Sequence, residues 1–470
     1  MVDRIDAVVN AISGVLYKPY IVPLILIAAG LYLTIRMGLI QFKLFGESIR
    51  VVSEKPVNLG STSSFGALMV STASRVGTGN IMGVSTAICL GGAGAIFWMW
   101  ITALLGGASA FVESTLAQIY KKRDSDGTSY GGPSYYIQDA LGQRWLGVVF
   151  AVVLILTYVM GYNMLAAYNT QDTFSAFSFY GRGTSYVVGL ILAVLFGVCV
   201  LGGAKRLTNV TEVLVPVMGV LYIIVSLAVV IMHIGSLPAV FGAIFRSAFD
   251  LKAIFGGFTG SCVMWGLKRG LYSNEAGMGS APNAAAAADV SHPVKQGLVQ
   301  MLSVFIDTLL ICSATAFMCL FSGVEPTADA AGAAYVQAST RAALGGFGPI
   351  FMTVAVCLFA FTTLLGNYYY TEGCLRFMLG REPGKGFMTA FRLCATVLVF
   401  LGAVISAGLA WDTADLLQAL MVIINVPAIL ILSRHAFRAL KDYEEQRRAG
   451  KNPIYNASAN GVDGTDFWQA

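Results

Sequence analysis

Apolar positions fill the chain in blocks of about twenty residues, the length a helix needs to cross roughly 30 Å of hydrocarbon. Polar stretches separate the blocks. Read in order they predict eleven spans: 18–38, 65–90, 94–119, 146–170, 184–203, 212–233, 254–288, 297–322, 346–378, 389–409 and 413–434. Residues 39–63 and 237–250 read as amphipathic or loop connections, and the polar tail from Ser433 to Ala470 is expected to be loosely ordered. Two spans are interrupted. Ser71-Thr-Ala-Ser-Arg-Val-Gly-Thr-Gly-Asn80 breaks the second, and Gly266-Leu-Lys-Arg-Gly-Leu-Tyr-Ser-Asn-Glu-Ala-Gly-Met-Gly-Ser280 breaks the seventh. An unpaired peptide group in hydrocarbon costs several kcal/mol, so irregular backbone there needs protein cover or a polar cavity.

Setting the first span aside leaves ten, five and five, with a broken helix opening each set. One broken helix enters from one side of the membrane and the other from the opposite side, so the halves are inverted. The expected architecture is an all-α polytopic membrane protein. Residues 1–63 form an N-terminal span and connection, 64–235 the first repeat, 236–434 the second repeat and 435–470 a tail. Broken helices at matching places of inverted repeats point to a secondary transporter with its site near the bilayer midplane.

Charge sets the orientation. Only 12% of residues are charged and 56% are hydrophobic, against about 25% charged in soluble domains. With the N-terminus outside, 21 of the 30 Lys and Arg fall on cytoplasmic segments and 6 on outer ones, which the positive-inside rule favours. The same bias accounts for the net charge of +5 without an acidic partner. Met1 to Lys18 lacks a basic n-region and a cleavage site, so no removed signal peptide is expected. The eight cysteines include no CxxC pair and the three histidines form no cluster, so neither a metal centre nor a disulfide framework is expected. No nucleophile–base set lies at membrane depth, which argues against an enzyme. A passive channel would instead need a continuous pore.

At the first break, Gly77 and Gly79 free the backbone and remove side chains that would block a ligand. The half-helix after the break would aim the amides of Thr78 and Gly79 inward, and a helix N-terminus favours an anion such as a carboxylate. The half-helix before it would end near Ala73 to Val76 with unpaired carbonyls, which suit a hard cation. Close packing of small residues explains the glycines, but not Ser71, Thr72, Ser74, Arg75 and Asn80 together. At the second break, Gly270, Leu271 and Ser273 are expected at the bend and against the ligand. Lys268, Arg269 and Glu275 read first as an ion cluster holding the broken helix. Pro282 fits the first turn of a new helix. On the ninth span, Thr363 and Asn367 share a face, as do Ala360 and Thr363, and a threonine pair facing broken-helix carbonyls would complete an oxygen cage for sodium. Glu113 and Asp307 are intramembrane acids without an assigned partner.

Val76-Gly-Thr-Gly-Asn-Ile81, Gly91-Gly-Ala-Gly-Ala-Ile-Phe-Trp-Met-Trp100, Glu113-Ser-Thr-Leu-Ala-Gln118, Gly131-Gly-Pro133 and above all Arg269-Gly-Leu-Tyr-Ser-Asn-Glu-Ala-Gly-Met-Gly-Ser-Ala281 resemble the alanine or glycine:cation symporter family. The resemblance implies a leucine-transporter-type fold and import of small neutral amino acids with sodium, in a bacterial-type inner membrane. It implies that Gly77, Thr78 and Gly79 hold the substrate carboxylate and that Gly270 and Leu271 wall the pocket. Thr363 and Asn367 would face the substrate. Sodium would rest on carbonyls of Ala73, Val76 and Ala360 with the hydroxyl of Thr362 or Thr363. Relatives carry Gln where this chain has Ala166 and Trp where it has Asn367, so the pocket is expected to be roomier and to admit serine or glutamine beside alanine and glycine. Proton coupling is the alternative. Some proton-coupled relatives of the wider fold use a lysine, and 212–233 contains none, which leans toward sodium.

Overall fold

The computed structural model describes residues 2–17, 21–58, 61–124, 127–181, 183–250 and 261–468. Among the described residues, eight helices are long and apolar enough to cross a membrane, the last of them Ala407–Arg448. The helices Thr184–Val200 and Ile234–Phe249 are apolar but shorter. The start of the predicted seventh span, residues 254–260, lies outside the described residues. On Gly203–Met232, Val213, Val217, Val220, Leu221 and Ile224 are all more than half exposed along one face. An apolar stripe of that length is stable only against hydrocarbon or another protein surface.

Both broken helices lie in the centre, where residues 66–88 and 269–286 are buried without interruption. The first runs Ser64–Arg75, breaks, turns through Thr78–Asn80 and resumes as Met82–Gly91. The second runs Cys262–Asn274, breaks and resumes as Pro282–Ala287. This corrects the expected place of the second break. Gly270 and Leu271 lie inside a continuous helix, and Gly270 lets it press against Thr102, where a methyl group would come within 3.2 Å. The chain turns one residue after Asn274. Glu275 takes a left-handed φ of 56°, followed by Gly277 at 85° and Gly279 at 82°. The start of the first broken helix and the end of the second also meet, where the Asp289 amide donates to the Thr62 carbonyl at 2.9 Å.

Of the two alternatives for 237–250, the amphipathic one holds: Leu237–Phe249 is a helix that buries Val240, Ile244 and Ala248 and packs against Gly94. Other segments depart from the expectation. Ala333–Leu344 is a helix that the polar connection concealed. The last helix extends to Arg448, and the tail beyond it is packed, not loose. The Tyr455 amide donates to Ser291 O at 3.0 Å, and the Trp468 indole donates to Gln118 O at 2.7 Å. The Lys121 Nζ lies 4.6 Å from the Phe467 ring and 5.0 Å from the Trp468 ring, and donates to Ala288 O at 3.1 Å. Burial pulls its pKa down to about 7.

Candidate substrate and ion site

At the first break the chain leaves helical geometry at Val76, and Asn80 closes the gap. Its Oδ1 accepts from the Gly77 amide at 2.7 Å. Thr78 and Gly79 open the following turn, the positions whose amides have no partner within a helix. The Thr78 hydroxyl accepts from Asn169 Nδ2 at 3.1 Å and lies 3.2 Å from the Tyr272 hydroxyl. A side chain on Gly79 would meet the Tyr272 ring at 3.0 Å. Gly77 lies so close to Thr363 that a methyl group there would overlap its hydroxyl. That hydroxyl donates to Ala73 O at 3.2 Å. Gly366, one turn on, packs against the Ala73–Ser74 backbone. Two glycines on facing helices thus allow the approach that brings Thr363 to the carbonyl end of the break.

Of the two threonines, Thr362 is turned the other way. Its hydroxyl bonds back to Leu358 O at 3.2 Å and Phe359 O at 3.0 Å and faces Met218, away from the break. Ala360 and Ala166 are buried in one apolar cluster with Leu364. Ala166 is one turn from both Asn163 and Asn169, which reach the site. Ser273 does reach a polar centre, but by donating to Asp307 Oδ2 at 2.7 Å. Asp307 also accepts from Asn80 at 2.6 Å and Thr308 at 2.7 Å. It lies in a π-helical stretch, Phe305–Cys312, a distortion common at functional sites. Among the described residues no basic side chain lies within ion-pair distance of it.

A second network joins four helices. Ser74 Oγ lies 2.7 Å from Glu275 Oε1 and 2.6 Å from Asn367 Oδ1. Asn367 Nδ2 donates to Asn163 Oδ1 at 2.9 Å, and Ser280 donates to Glu275 Oε2 at 2.7 Å. The expected cluster of Lys268, Arg269 and Glu275 is therefore not formed. Lys268 and Arg269 both pair with Asp415 Oδ2, at 2.6 and 2.8 Å, and Arg269 stacks on Trp411 at 4.1 Å. Trp411 in turn meets the Tyr272 ring at 5.2 Å, so a buried ion cluster and aromatic rings close the site on that side. Arg75 is buried and donates to Gln300 O at 3.2 Å. Among the described residues it pairs with no acid.

Glu113 meets the second break directly. Its carboxylate accepts from the Gly277 amide at 3.4 Å, the Gly279 amide at 3.1 Å and Asn425 at 2.8 Å. Asn163 and Asn169 escaped the sequence reading, in which Ser74 stands only among the polar residues of the break and Asp307 only as an intramembrane acid without a partner. Their signal was a polar side chain inside an apolar span.

The sodium:alanine symporter family model matches residues 2–457. The amino-acid carrier protein AlsT of Bacillus subtilis is 44% identical over 95% of this chain and 94% of its own length. The probable sodium/glutamine symporter GlnT of the same organism is 42% identical, covering 100% of this chain and 97% of its own. The sodium/alanine symporter AgcS of Methanococcus maripaludis is 37% identical over 96% and 99%. The crystal structure of MhsT in complex with L-phenylalanine superposes with a TM-score of 0.56 at 14% identity, covering 81% of this chain and 92% of that one. The fold is accordingly that of the leucine-transporter type, and this multi-pass membrane chain belongs to the sodium:alanine symporter family.

Proposed function

We propose that this protein imports a small neutral amino acid together with sodium, with the first break as the site of both. The observation that carries this reading is the pairing of its two ends. The amides of Thr78 and Gly79 offer an N-terminal helix end to a carboxylate. The carbonyls of Ala73, Val76 and Ala360, with the Thr363 hydroxyl 3.2 Å from Ala73 O, offer hard oxygens to sodium. Asp307 adds a buried carboxylate one residue-length away, through Asn80. Alanine and glycine fit the family, and Asn367 beside Ala166 leaves room and polarity for serine or glutamine. The N-terminus lies outside and the tail inside, as the charge asymmetry favours. Residues 64–235 and 236–434 act as the two inverted repeats.

Uptake of labelled alanine, glycine, serine and glutamine into proteoliposomes tests this, with a sodium gradient or none. Accumulation that follows the sodium gradient is expected. Equal uptake without sodium would sink the reading.

A proton in place of sodium is the second reading. The Ser74 hydroxyl has one hydrogen and two neighbouring oxygens, Glu275 Oε1 and Asn367 Oδ1. A proton on Glu275 satisfies both; so do the Asn367 and Asn163 amides turned together, because Asn163 Nδ2 then meets Asn367 Oδ1. Uptake driven by a pH gradient in sodium-free medium, and lost in Glu275→Gln, would favour the proton.

A further inference from the structure

A cavity of about 320 Å³ lies beyond the second break, away from the site just described. Its walls are Asp124, the strand Ser129–Tyr130, the second half-helix at Asn283, the helix Phe347–Leu379 at Glu372 and Arg376, and Arg392 on the next helix. The volume falls in the range of sites for small molecules.

Its charges are arranged in opposed pairs. Arg392 Nη2 donates to Glu372 Oε1 at 2.9 Å, and Arg392 Nε donates to the Tyr368 hydroxyl at 3.4 Å. The Tyr368 hydroxyl donates to that same Oε1 at 3.1 Å. Among the described residues, every hydrogen bond to Glu372 falls on Oε1, so Oε2 keeps its acceptor capacity. Arg392 likewise keeps Nη1, because a guanidinium carries five N–H donors. Across the cavity, Arg376 grips Asp124 at 2.6 and 2.9 Å and lies 3.7 Å over the Tyr130 ring. The Glu372 and Arg392 side chains are 22% and 18% exposed, so water and small solutes reach them. A free carboxylate oxygen beside a free guanidinium edge matches the ammonium and carboxylate of a zwitterion.

The cavity also adjoins the central network. Asn283, on its wall, donates to Ser280 O at 2.8 Å, and Ser280 donates to Glu275. Glu372 follows Asn367 by five residues on one helix, about 7.5 Å along its axis. Gly132 packs against Asn283, where an added methyl group would overlap the amide oxygen, so this wall is close-packed at its glycine.

We propose that this cavity is a second, sodium-independent site for a zwitterion, in which Arg392 takes the carboxylate and Glu372 the ammonium. Resting on the carrier reading above, it assigns the cavity to the transported amino acid after it leaves the central site. The same chemistry is found on a phosphatidylethanolamine headgroup, so the test separates the two sources.

Binding of labelled alanine is measured on the full-length protein in phosphatidylglycerol nanodiscs, with and without sodium and with and without phosphatidylethanolamine. Two components are expected: one that requires sodium and a weaker one that does not. Glu372→Gln and Arg392→Gln should each weaken the second component about tenfold, the loss of one charged contact. Arg392→Lys should restore part of it. The sodium-dependent component reports that each variant is folded. A single sodium-dependent component, or a second component indifferent to both variants, overturns the proposal. So does a second component seen only without phosphatidylethanolamine, which identifies the headgroup as the occupant. Absence of the sodium-dependent component in the unaltered protein instead overturns the carrier reading, whatever the second component does.

Discussion

The two broken helices look alike in sequence and are finished differently. At the first, the gap is closed by a neutral amide, Asn80, which leans on Asp307, and the Thr78 and Gly79 amides begin the next turn. At the second, an internal carboxylate already occupies the gap, because Glu113 accepts from the amides of Gly277 and Gly279. A helix end filled by the protein's own anion has no attraction left for a ligand's. The comparison therefore separates a break built for binding from one built for shape, although both carry the same glycine signature.

The largest contrast is expected between Gly77→Ala and Gly277→Ala. The first drives a methyl group into the Thr363 hydroxyl and should cut transport about 100-fold, the weight of roughly 3 kcal/mol of overpacking at the site. The second places alanine at a φ of 85°, with Val426 at 3.4 Å, and should lower stability by about 1–2 kcal/mol with little change in KM. Uptake kinetics beside thermal unfolding decide it. Equal loss of transport in both would end the distinction.

Next come the two acids. Asp307→Asn should raise the sodium concentration for half-maximal uptake about tenfold or more, a loss of some 1.4 kcal/mol. Glu113→Gln keeps one acceptor oxygen but sets its NH2 against the donor of either Gly277 or Gly279, and should cost about 2 kcal/mol of stability while leaving sodium dependence alone. The reverse pattern would move the ion to the second break.

Thr363→Val should weaken sodium dependence by about 1 kcal/mol, while Thr362→Val, which loses a bond to its own helix, should change it by less than about 0.5 kcal/mol. Sodium titrations of uptake would show the difference. If Thr362 matters more, the helix is rotated from the orientation described.

The smallest effect concerns the far end of the second break. Lys121, with a pKa near 7 against an ordinary value of about 10.4, is uncharged when docked and charged when free between those limits. The undocked state then holds the extra proton, so docking strengthens as pH rises from about 7 toward 10. Burial holds His292 below its ordinary value, so it is already neutral there. Hydrogen exchange at residues 282–288, corrected for its intrinsic rate, should slow between pH 7 and 8.5. In Lys121→Met the slowing should vanish.

The breaks, the span order and the fold were legible because bilayer thickness forces apolar blocks and punishes interruption. The first break was read to within a residue or two. The second was set too early because Gly266 and Gly270 were counted with it. Both instead admit neighbouring helices, Gly266 against Ala95 and Gly270 against Thr102. Partners resisted reading because they are distant in the chain: Asp415 lies 146 residues from Arg269, and Asn367 lies 293 from Ser74. No local pattern encodes such pairs. Thr362 and Thr363 were equivalent on paper, and only the helix's rotation separates them. The tail was judged by its polar composition, which outweighed Phe467 and Trp468, the residues that anchor it.

The anchoring of Trp468 on Gln118 joins positions 350 apart in the chain. During synthesis Gln118 is in place long before its partner exists. At about 5–20 residues per second, the wait lasts roughly 20–70 seconds. Throughout that interval the Lys121 side chain has no aromatic cover. The face can be sealed only after the helices between have been inserted, so its closure waits on the assembly of the rest of the fold, and until then the surface around Lys121 lies open to water and to proteases.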